Sequence, residues 1–406
     1  MNLSPLQERV LGAITRWLAD PSGKQTFYLA GVAGSGKSSL IARAVGNLDG
    51  VLYMAPTGKA ALIMRRKGCP DARTIHQTIY RPAGSGLGPR QRENLRARCA
   101  QLRATGNPRD LVLVERLEEQ LRRSEDPKLS GPRFSLNEES DLRRAKLGVI
   151  DEASMVDRTV GRDLESFGTR LLVIGDEAQL PPVYGAGYFT SREPDAVLDE
   201  VHRQALDSPI LRLADLARRG SRLPVGPAGD GVDVLRFGDA SLEARARAAD
   251  MILVGKNATR HGTNERLRQL LGRSDKMPVA GDRVICRRND HDLGLLNGSS
   301  WTVECSVVEQ DRGTVRLQVR SHDDDARVEC AAWMHHFEGR EGQLGANRRD
   351  FAEFAYGWAQ TVHTAQGSQW DSVYVRDQSA CFGRDACRHL YTAITRAVKA
   401  LTVVVG

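Results

Sequence analysis

The sequence predicts an α/β fold built from two runs of parallel strands. Short apolar strands alternate with helical segments from residue 26 to residue 175, and a second run of apolar strands begins near residue 250. A glycine-rich loop stands between the first strand and the helix after it. Strands that alternate with helices form parallel sheets that are covered by helices on both faces. A chain of 406 residues is long enough for about two to four compact domains.

The glycine-rich loop, residues 31–38, has the sequence GVAGSGKS and matches the phosphate-binding pattern G-x-x-x-x-G-K-[ST] at every fixed position. Its backbone N–H groups can surround an anion, and the N-terminus of the next helix adds partial positive charge. Lys37 is expected to reach the β- and γ-phosphates of a nucleotide, and the Ser38 hydroxyl is expected to ligate Mg²⁺. The residues at the centre of this loop are Gly34, Ser35 and Gly36.

Two adjacent carboxylates follow a buried strand over residues 147–150. Asp151 can hold Mg²⁺ through water, and Glu152 can polarise a water molecule that attacks a γ-phosphate. The next strand, residues 170–174, leads into a turn that places Gln179 before a leucine and a pair of prolines. Gln179 is therefore a candidate sensor of the γ-phosphate.

Basic residues outnumber acidic residues by 58 to 51, and 49 of the basic residues are arginine. Arginine bonds two phosphate oxygens at once, which suits nucleic acid, but a GC-rich genome produces the same excess. The seven cysteines form no C-x-x-C pair, so neither a zinc site nor a disulfide framework is indicated, and a reduced, cytoplasmic protein is expected. No apolar run approaches the ~18 residues of a membrane span, and the N-terminus lacks a signal-peptide profile, so no membrane association is expected.

Several other segments admit two interpretations. The arginine- and glutamate-rich stretch at 81–145 is either a solvated helical face or a subdomain that touches a nucleic acid. His76 is either a ligand contact or a helix-capping or core histidine. Arg203 and Arg396 can enter a phosphate site from a second lobe, although salt bridging is the commoner fate of an arginine. Short alternating stretches between 295 and 350 predict a small antiparallel barrel.

Seven stretches of the sequence, in this order, resemble the motifs of the superfamily 1B DNA helicases, the RecD-like and Dda-like group that moves 5′ to 3′. They are GVAGSGKS (31–38), APTGKAA (55–61), DEASM (151–155), GDEAQLPPV (175–183), EVHRQ (200–204), TVHTAQGS (361–368) and YTAITRA (391–397). The resemblance covers nearly the whole chain. It implies two RecA-like P-loop NTPase lobes with parallel sheets, at 1–190 and 191–406. The first lobe would carry the helical insertion at 81–145, and the second an antiparallel β-barrel at 295–350.

The resemblance also implies ATP and Mg²⁺ as cofactors, bound between the lobes, with single-stranded DNA lying across both. Nucleotide contacts are implied for Gln7, Gln366 and Gly367 in addition to the glycine loop, and Ser38 and Asp151 would hold the metal. The implied catalytic residues are Lys37, Glu152, Gln179, Arg203 and Arg396. The implied DNA contacts are Pro56, Thr57, Lys59, His76, Thr361 and His363.

The function implied is that of a monomeric ATP-dependent DNA helicase in the cytoplasm of a bacterial or phage-infected cell. It would act on single-stranded DNA and on single/double-strand junctions, with single-strand-binding, replication or recombination proteins as candidate partners. Two alternatives are a translocase that displaces proteins without efficient unwinding and a nucleotide-gated DNA-binding switch. The sequence departs from the family pattern at His202, where a base-stacking tyrosine is common, and at Gln369, where a ribose-binding glutamate is common. The segment 81–145 also lacks the alternating apolar pattern of a strand-separating β-hairpin pin.

Overall fold

The computed structural model describes residues 3–20, 22–46, 48–82, 89–104, 114, 117–118, 134–182, 185–199, 208–290, 292–309, 313–340 and 351–406. Two six-stranded sheets, one in each half of the chain, form its centre, and a five-stranded antiparallel sheet is inserted into the second half. The predicted two-lobe α/β architecture is therefore confirmed. Among the described helices, none combines the length and the apolarity needed to cross a membrane.

The first lobe contains six helices and eight strands in its described part. The helices are α1 (Pro5–Ala19), α2 (Lys37–Val45), α3 (Gly58–Arg66), α4 (Ile75–Ile79), α5 (Pro89–Ala104) and α6 (Arg158–Ser166). The strands are β1 (Thr26–Gly31), β2 (Val51–Ala55), β3 (Arg73–Thr74), β4 (Tyr80–Pro82), β5 (Phe134–Leu136), β6 (Leu147–Ile150), β7 (Leu171–Gly175) and β8 (Ala196–Leu198).

The sheet of the first lobe has the order β3-β2-β6-β7-β1-β8, and all of its strands are parallel. Strands β6 and β7 are buried along their whole length, as their unbroken apolar sequences predict. Because the strands run in one direction, the segments that follow β1, β6 and β7 meet at one edge of the sheet. Those segments are the glycine loop, the Asp151–Glu152 pair and the turn that carries Gln179.

The segment predicted as an insertion at 81–145 begins and ends in a short antiparallel pair, in which Tyr80 of β4 faces Leu136 of β5. Helix α5 lies within it, which agrees with the predicted helical character. Residues 83–88, 105–113, 115–116 and 119–133 of this segment fall outside the described residues, so the presence of a strand-separating pin stays untested.

The second half of the chain contains four helices and eleven strands in its described part. The helices are α7 (Pro209–Arg218), α8 (Leu242–Ala248), α9 (Asn257–Leu270) and α10 (Ala386–Ile394). The strands are β9 (Gly226–Gly229), β10 (Val232–Arg236), β11 (Met251–Val254), β12 (Arg283–Cys286), β13 (Ser300–Glu309), β14 (Thr314–Ser321), β15 (Arg327–Trp333), β16 (Phe354–Tyr356), β17 (Ala359–Thr361), β18 (Trp370–Arg376) and β19 (Ala397–Val405).

The sheet of the second lobe has the order β17-β11-β18-β19-β10-β9 and is parallel except for the pairing of β9 with β10. Strands β11 and β18 flank each other although 115 residues and the whole inserted sheet separate their ends in the sequence. The chain therefore leaves the parallel sheet after β11, forms the inserted sheet and returns to the parallel sheet at β17.

The inserted sheet has the order β15-β14-β13-β12-β16 and is antiparallel throughout. A bridge between Ala332 and Ala352 joins the end of β15 to the segment before β16. The apolar strand β12 belongs to this sheet and not to the parallel one, because Val284 pairs with Trp301 and Tyr356. The apolar side chains of this sheet, among them Trp301, pack against Ile252, Val254 and Tyr374 of the parallel sheet in one shared core. The inserted sheet extends beyond the predicted 295–350 on both sides.

Candidate active site between the two lobes

A cavity of about 700 Å³ lies where the two lobes meet, and both lobes line it. The first lobe contributes residues 33–37 of the glycine loop together with Asp151, Glu152 and Gln179. The second lobe contributes Gln369, Thr395 and Arg396. The structure thus collects most of the residues that the sequence assigned to phosphate chemistry in one space.

The glycine loop adopts a backbone conformation that favours glycine at two of its positions. Gly34 and Gly36 adopt φ angles of 78° and 83°, in the left-handed region that favours glycine. The Lys37 ammonium group donates to the carbonyl oxygens of Gly31, at 2.5 Å, and Val32, at 2.8 Å. The lysine is therefore held over the loop, within the wall of the cavity.

Gln7 contacts the glycine loop from behind. Its side chain closes a capping box with Ser4 at the start of α1, and its amide nitrogen donates to the Ser35 carbonyl oxygen at 3.1 Å. Gln7 does not line the cavity. The structure places it against the loop backbone, and the implied contact with the base of a nucleotide stays a prediction.

The two carboxylates at the end of β6 have different surroundings. Asp151 accepts the backbone N–H of Glu152 at 2.8 Å. Glu152 has a φ of 55°, which costs a residue with a side chain about 1 kcal/mol. Burial raises the pKa of Glu152, while Arg396 and Lys37 act in the opposite direction. A carboxylate with a raised pKa is better matched to accepting a proton near neutral pH.

Gln179 and Arg396 enter the cavity from opposite lobes. The Gln179 side chain is buried, and its amide oxygen has no hydrogen-bond partner among the described residues. Arg396 is 3% exposed and donates to the Thr392 and Ser368 carbonyl oxygens, at 3.0 and 3.3 Å, and to the Thr395 hydroxyl. It forms no salt bridge within the described part of the chain, so the structure does not support the salt-bridge alternative. Arg203 and His202 lie in 200–207, outside the described residues.

Gln366 and Gly367 do not line the cavity, and their implied contacts with a nucleotide stay predictions. The Gln366 amide donates to the Leu180 carbonyl oxygen of the first lobe at 2.7 Å, which holds the turn after Gln179. Gly367 has a φ of 73°, and a Cβ atom there would lie 3.1 Å from the Thr57 hydroxyl oxygen. Both residues therefore lie at the lobe boundary beside the cavity.

The close approach of Gly367 to Thr57 brings together the predicted DNA contacts of the two lobes. Thr57 caps α3 by accepting the Ala60 N–H at 3.1 Å, and Pro56 precedes it. Thr361 ends β17 and exchanges a hydrogen bond with Thr364. The 56–59 and 361–368 segments meet where Gly367 approaches Thr57, and we call the two segments together the seam.

Two histidines were predicted to contact DNA. His76 is exposed on α4, and Thr74 rather than His76 caps that helix, so the capping and core alternatives do not apply. The ring of His363 lies 5.7 Å from the ring of Phe382. Burial lowers the pKa of His363, so the ring is neutral at physiological pH and offers hydrogen bonds rather than charge.

Lys59, the predicted DNA contact with a full positive charge, is engaged by the inserted sheet. Its ammonium nitrogen lies 3.2 Å from an Asp323 carboxylate oxygen, and only 7% of the residue is exposed. The Arg66 guanidinium group also donates to the backbone carbonyl oxygen of Asp323. Asp323 lies in the turn between β14 and β15, so that turn docks on α3 of the first lobe.

Sequence reasoning missed several of these participants. Thr395 lies within the YTAITRA motif, and its position beside Arg396 was the available signal. Gln369 was noted only as a departure from a family pattern, yet it lines the cavity. Asp323 gave no usable signal, because the residue that it pairs with is 264 positions away in the sequence.

Comparisons with known proteins identify the family and the fold of this chain. The model of the family described as "AAA domain" matches residues 2–228, and that described as "UvrD-like helicase C-terminal domain" matches residues 356–404. The ATP-dependent RecD2 DNA helicase of Deinococcus radiodurans is 26% identical over 400 residues, which cover 93% of this chain and 46% of that protein. The RecBCD enzyme subunit RecD of Mycobacterium tuberculosis is 27% identical over 320 residues, which cover 68% of this chain and 52% of that protein.

This chain therefore spans about half the length of the curated relatives that it matches. Among solved structures, Bacteroides Pif1 bound to single-stranded DNA matches with a TM-score of 0.56 at 16% identity, over 99% of this chain and 92% of that chain. This similarity concerns the fold and extends over both lobes.

Proposed function

This chain belongs to the AAA-domain family, and its motifs and relatives place it among the RecD-like and Pif1-like superfamily 1 helicases. We propose that it is an ATP-dependent DNA helicase. It would move 5′ to 3′ on single-stranded DNA and separate duplex ahead of it. The observation that carries this proposal is the shared cavity, in which Lys37 and Glu152 of one lobe face Arg396 of the other. Hydrolysis that needs groups from both lobes is coupled to the distance between the lobes.

The residues that line the cavity suit a nucleoside triphosphate with Mg²⁺. Lys37 and Arg396 supply positive charge, and the Gln179 amide oxygen has no partner within the part of the chain that the structure describes. The loop N–H groups and Lys37 would bind the phosphates, with Lys37 exchanging its loop carbonyls for phosphate oxygens. Asp151 and Ser38, whose side chain lies outside the described residues, would hold Mg²⁺, which neutralises charge on the β- and γ-phosphates when bound.

Glu152 would orient the attacking water and accept its proton as the oxygen bonds to the γ-phosphorus. The bond between the γ-phosphorus and the bridging oxygen then breaks, and ADP leaves with the negative charge that Arg396 and Lys37 neutralise. Gln179 would register whether the γ-phosphate is present. The loss of that phosphate would let the lobes separate, and the closing and opening would move the seam along the DNA backbone.

The proposed role of Glu152 predicts a pH dependence. Only the ionised carboxylate can accept the proton, and burial raises its pKa, so turnover should fall on acidification at a higher pH than for an ordinary glutamate. The measurement is kcat for ATP from pH 5 to pH 9 with saturating single-stranded DNA. A flat profile down to the ordinary glutamate range would contradict the role.

The contact between Lys59 and Asp323 predicts competition between a carboxylate and DNA. A DNA phosphate must replace Asp323 on Lys59, so Asp323→Asn should tighten binding to an oligothymidylate by about 3- to 10-fold at low salt. Fluorescence anisotropy would measure the affinity. Asp324→Asn is the matched control, because it removes the same charge from the same turn, and Asp324 forms no ion pair among the described residues. Equal effects of the two variants would show that only net charge matters.

The test of the proposed function is ATP-dependent unwinding of two matched duplexes, one with a 5′ and one with a 3′ single-stranded tail. The expected result is separation of the 5′-tailed duplex alone. DNA-stimulated ATP turnover without any strand separation would favour the protein-displacing translocase. DNA binding that responds to nucleotide without turnover would favour the switch.

A further inference from the structure

One tyrosine hydroxyl joins the two lobes directly at the glycine loop. Tyr391, in α10 of the second lobe, accepts the backbone N–H of Ala33 at 2.8 Å and donates to a carboxylate oxygen of Asp176 at 2.6 Å. Tyr391 and Asp176 are 2% and 3% exposed. The hydroxyl is thus fully occupied by two groups of the first lobe and is shielded from water.

Both partners belong to segments that shape the cavity. Ala33 is part of the glycine loop and lines the cavity itself. Asp176 begins the turn that carries Gln179: its other carboxylate oxygen accepts the Ala178 N–H at 3.0 Å, and its carbonyl oxygen accepts the Gln179 N–H at 3.1 Å. A displacement of either segment therefore changes the geometry at Tyr391.

On its own side, Tyr391 is connected to Arg396 through one turn of helix. The next residue, Thr392, is fully buried, and its carbonyl oxygen accepts the Arg396 Nε–H at 3.0 Å. The Thr392 hydroxyl accepts the Leu180 N–H at 2.9 Å, which adds a second bond to the first lobe. Helix α10 is therefore anchored to the first lobe at the point from which Arg396 extends.

The protonation of this hydroxyl is well defined. Burial and the Asp176 carboxylate both raise the pKa of Tyr391, so the hydroxyl stays protonated and donates to Asp176 across the physiological range. The loop N–H of Ala33 is one of the groups that a bound phosphate would attract. Phosphate in the loop and Tyr391 therefore act on the same donor.

We propose that Tyr391 is a positioning residue that couples the state of the phosphate-binding loop to the placement of Arg396. The inference rests on the proposed ATPase function. It adds that nucleotide bound in the loop of the first lobe affects the position of Arg396 in the second lobe through Tyr391. Loss of the hydroxyl would leave Lys37, Glu152 and Arg396 chemically intact but uncoupled. Coupling between sites of this kind typically changes a rate or an affinity by about 5- to 150-fold.

The experiment compares the wild type with Tyr391→Phe, in basal and DNA-stimulated ATP turnover and in ADP affinity. We expect the DNA-stimulated kcat to fall by about 5- to 150-fold, while KM for ATP and the ADP affinity change by less than about threefold. Tyr188→Phe is the matched control. The Tyr188 hydroxyl donates to a Glu165 carboxylate oxygen at 2.6 Å, and neither residue lines the cavity. This variant should retain wild-type kcat and KM.

A second variant separates coupling from folding. Tyr391→Phe leaves one oxygen of the buried Asp176 carboxylate without its donor, which is destabilising, whereas Tyr391→Phe combined with Asp176→Asn removes that charge. The double variant should show the same loss of DNA stimulation with a wild-type melting temperature. Wild-type stimulation in a folded Tyr391→Phe protein, or a parallel loss of ADP affinity in both variants, would overturn the inference. Absence of ATP turnover in the wild type would instead contradict the proposed function.

Discussion

Arg396→Ala should lower DNA-stimulated ATP turnover by about 10³- to 10⁵-fold, the range associated with removal of an arginine finger. The guanidinium group is buried and donates only to carbonyl and hydroxyl groups among the described residues, so its charge is not neutralised by a carboxylate pair. Alanine cannot replace that charge beside the γ-phosphate. ATP affinity should change far less, because the glycine loop and Lys37 are in the other lobe. The measurements are kcat at saturating DNA and the affinity for ATP.

The same variant has a second readout. Arg396 lowers the pKa of Glu152. Removal of the arginine should therefore raise this pKa, so the fall of the residual kcat on acidification should begin at a higher pH. Arg388→Ala is the matched control, since Arg388 lies on α10, the helix that precedes Arg396, and pairs with Asp385 at 3.1 Å. Near-normal turnover in Arg396→Ala would remove this residue from the proposed mechanism.

Glu152→Gln should retain the nucleotide but lower its hydrolysis by about 10²- to 10⁴-fold, the usual contribution of a positioned general base. Glutamine has nearly the same shape as glutamate but cannot accept the proton of the attacking water. Because burial disfavours the charged carboxylate, the neutral amide should also stabilise the protein slightly. The single-turnover rate of ATP hydrolysis and the affinity for ATP, measured separately, would distinguish slow hydrolysis from weak nucleotide binding.

Glu177→Gln is the control for this variant. Glu177 lies in the neighbouring turn, is exposed and does not line the cavity, so its neutralisation should leave turnover near the wild-type value. Turnover by Glu152→Gln within a few-fold of the wild type would mean that another group orients the water.

Much of the first lobe was predictable because its signals are local. Strands β1, β6 and β7 are short apolar runs, each followed by polar residues, and parallel packing alone brings those polar residues to one edge. Lys37, Asp151, Glu152 and the Gln179 turn follow from that rule. The position of Arg396 does not, because it depends on the docking of the second lobe; it came from the family resemblance, which the comparisons confirm.

Sequence reasoning was insufficient where the partner of a segment is distant in sequence. The apolar run of β12 is as suited to a parallel as to an antiparallel sheet, and only its pairing with Trp301 and Tyr356 decides between them. No local pattern indicates that the Gln366 amide donates to the Leu180 carbonyl oxygen of the other lobe. The YTAITRA motif contains Tyr391, but it does not show that the hydroxyl bonds to Ala33 and Asp176.

The pairing of Lys59 with Asp323 also affects how DNA affinity should depend on ionic strength. A lysine that faces solvent releases a condensed counterion from DNA when it neutralises a phosphate, and this release gives single-strand binding a slope of about −0.7 per contact in log K against log salt. Lys59 instead exchanges one anionic partner for another, and Asp323 keeps Arg66 as its remaining cationic partner at 3.8 Å. Lys59 should therefore contribute less to the salt dependence of DNA binding than a lysine that faces solvent.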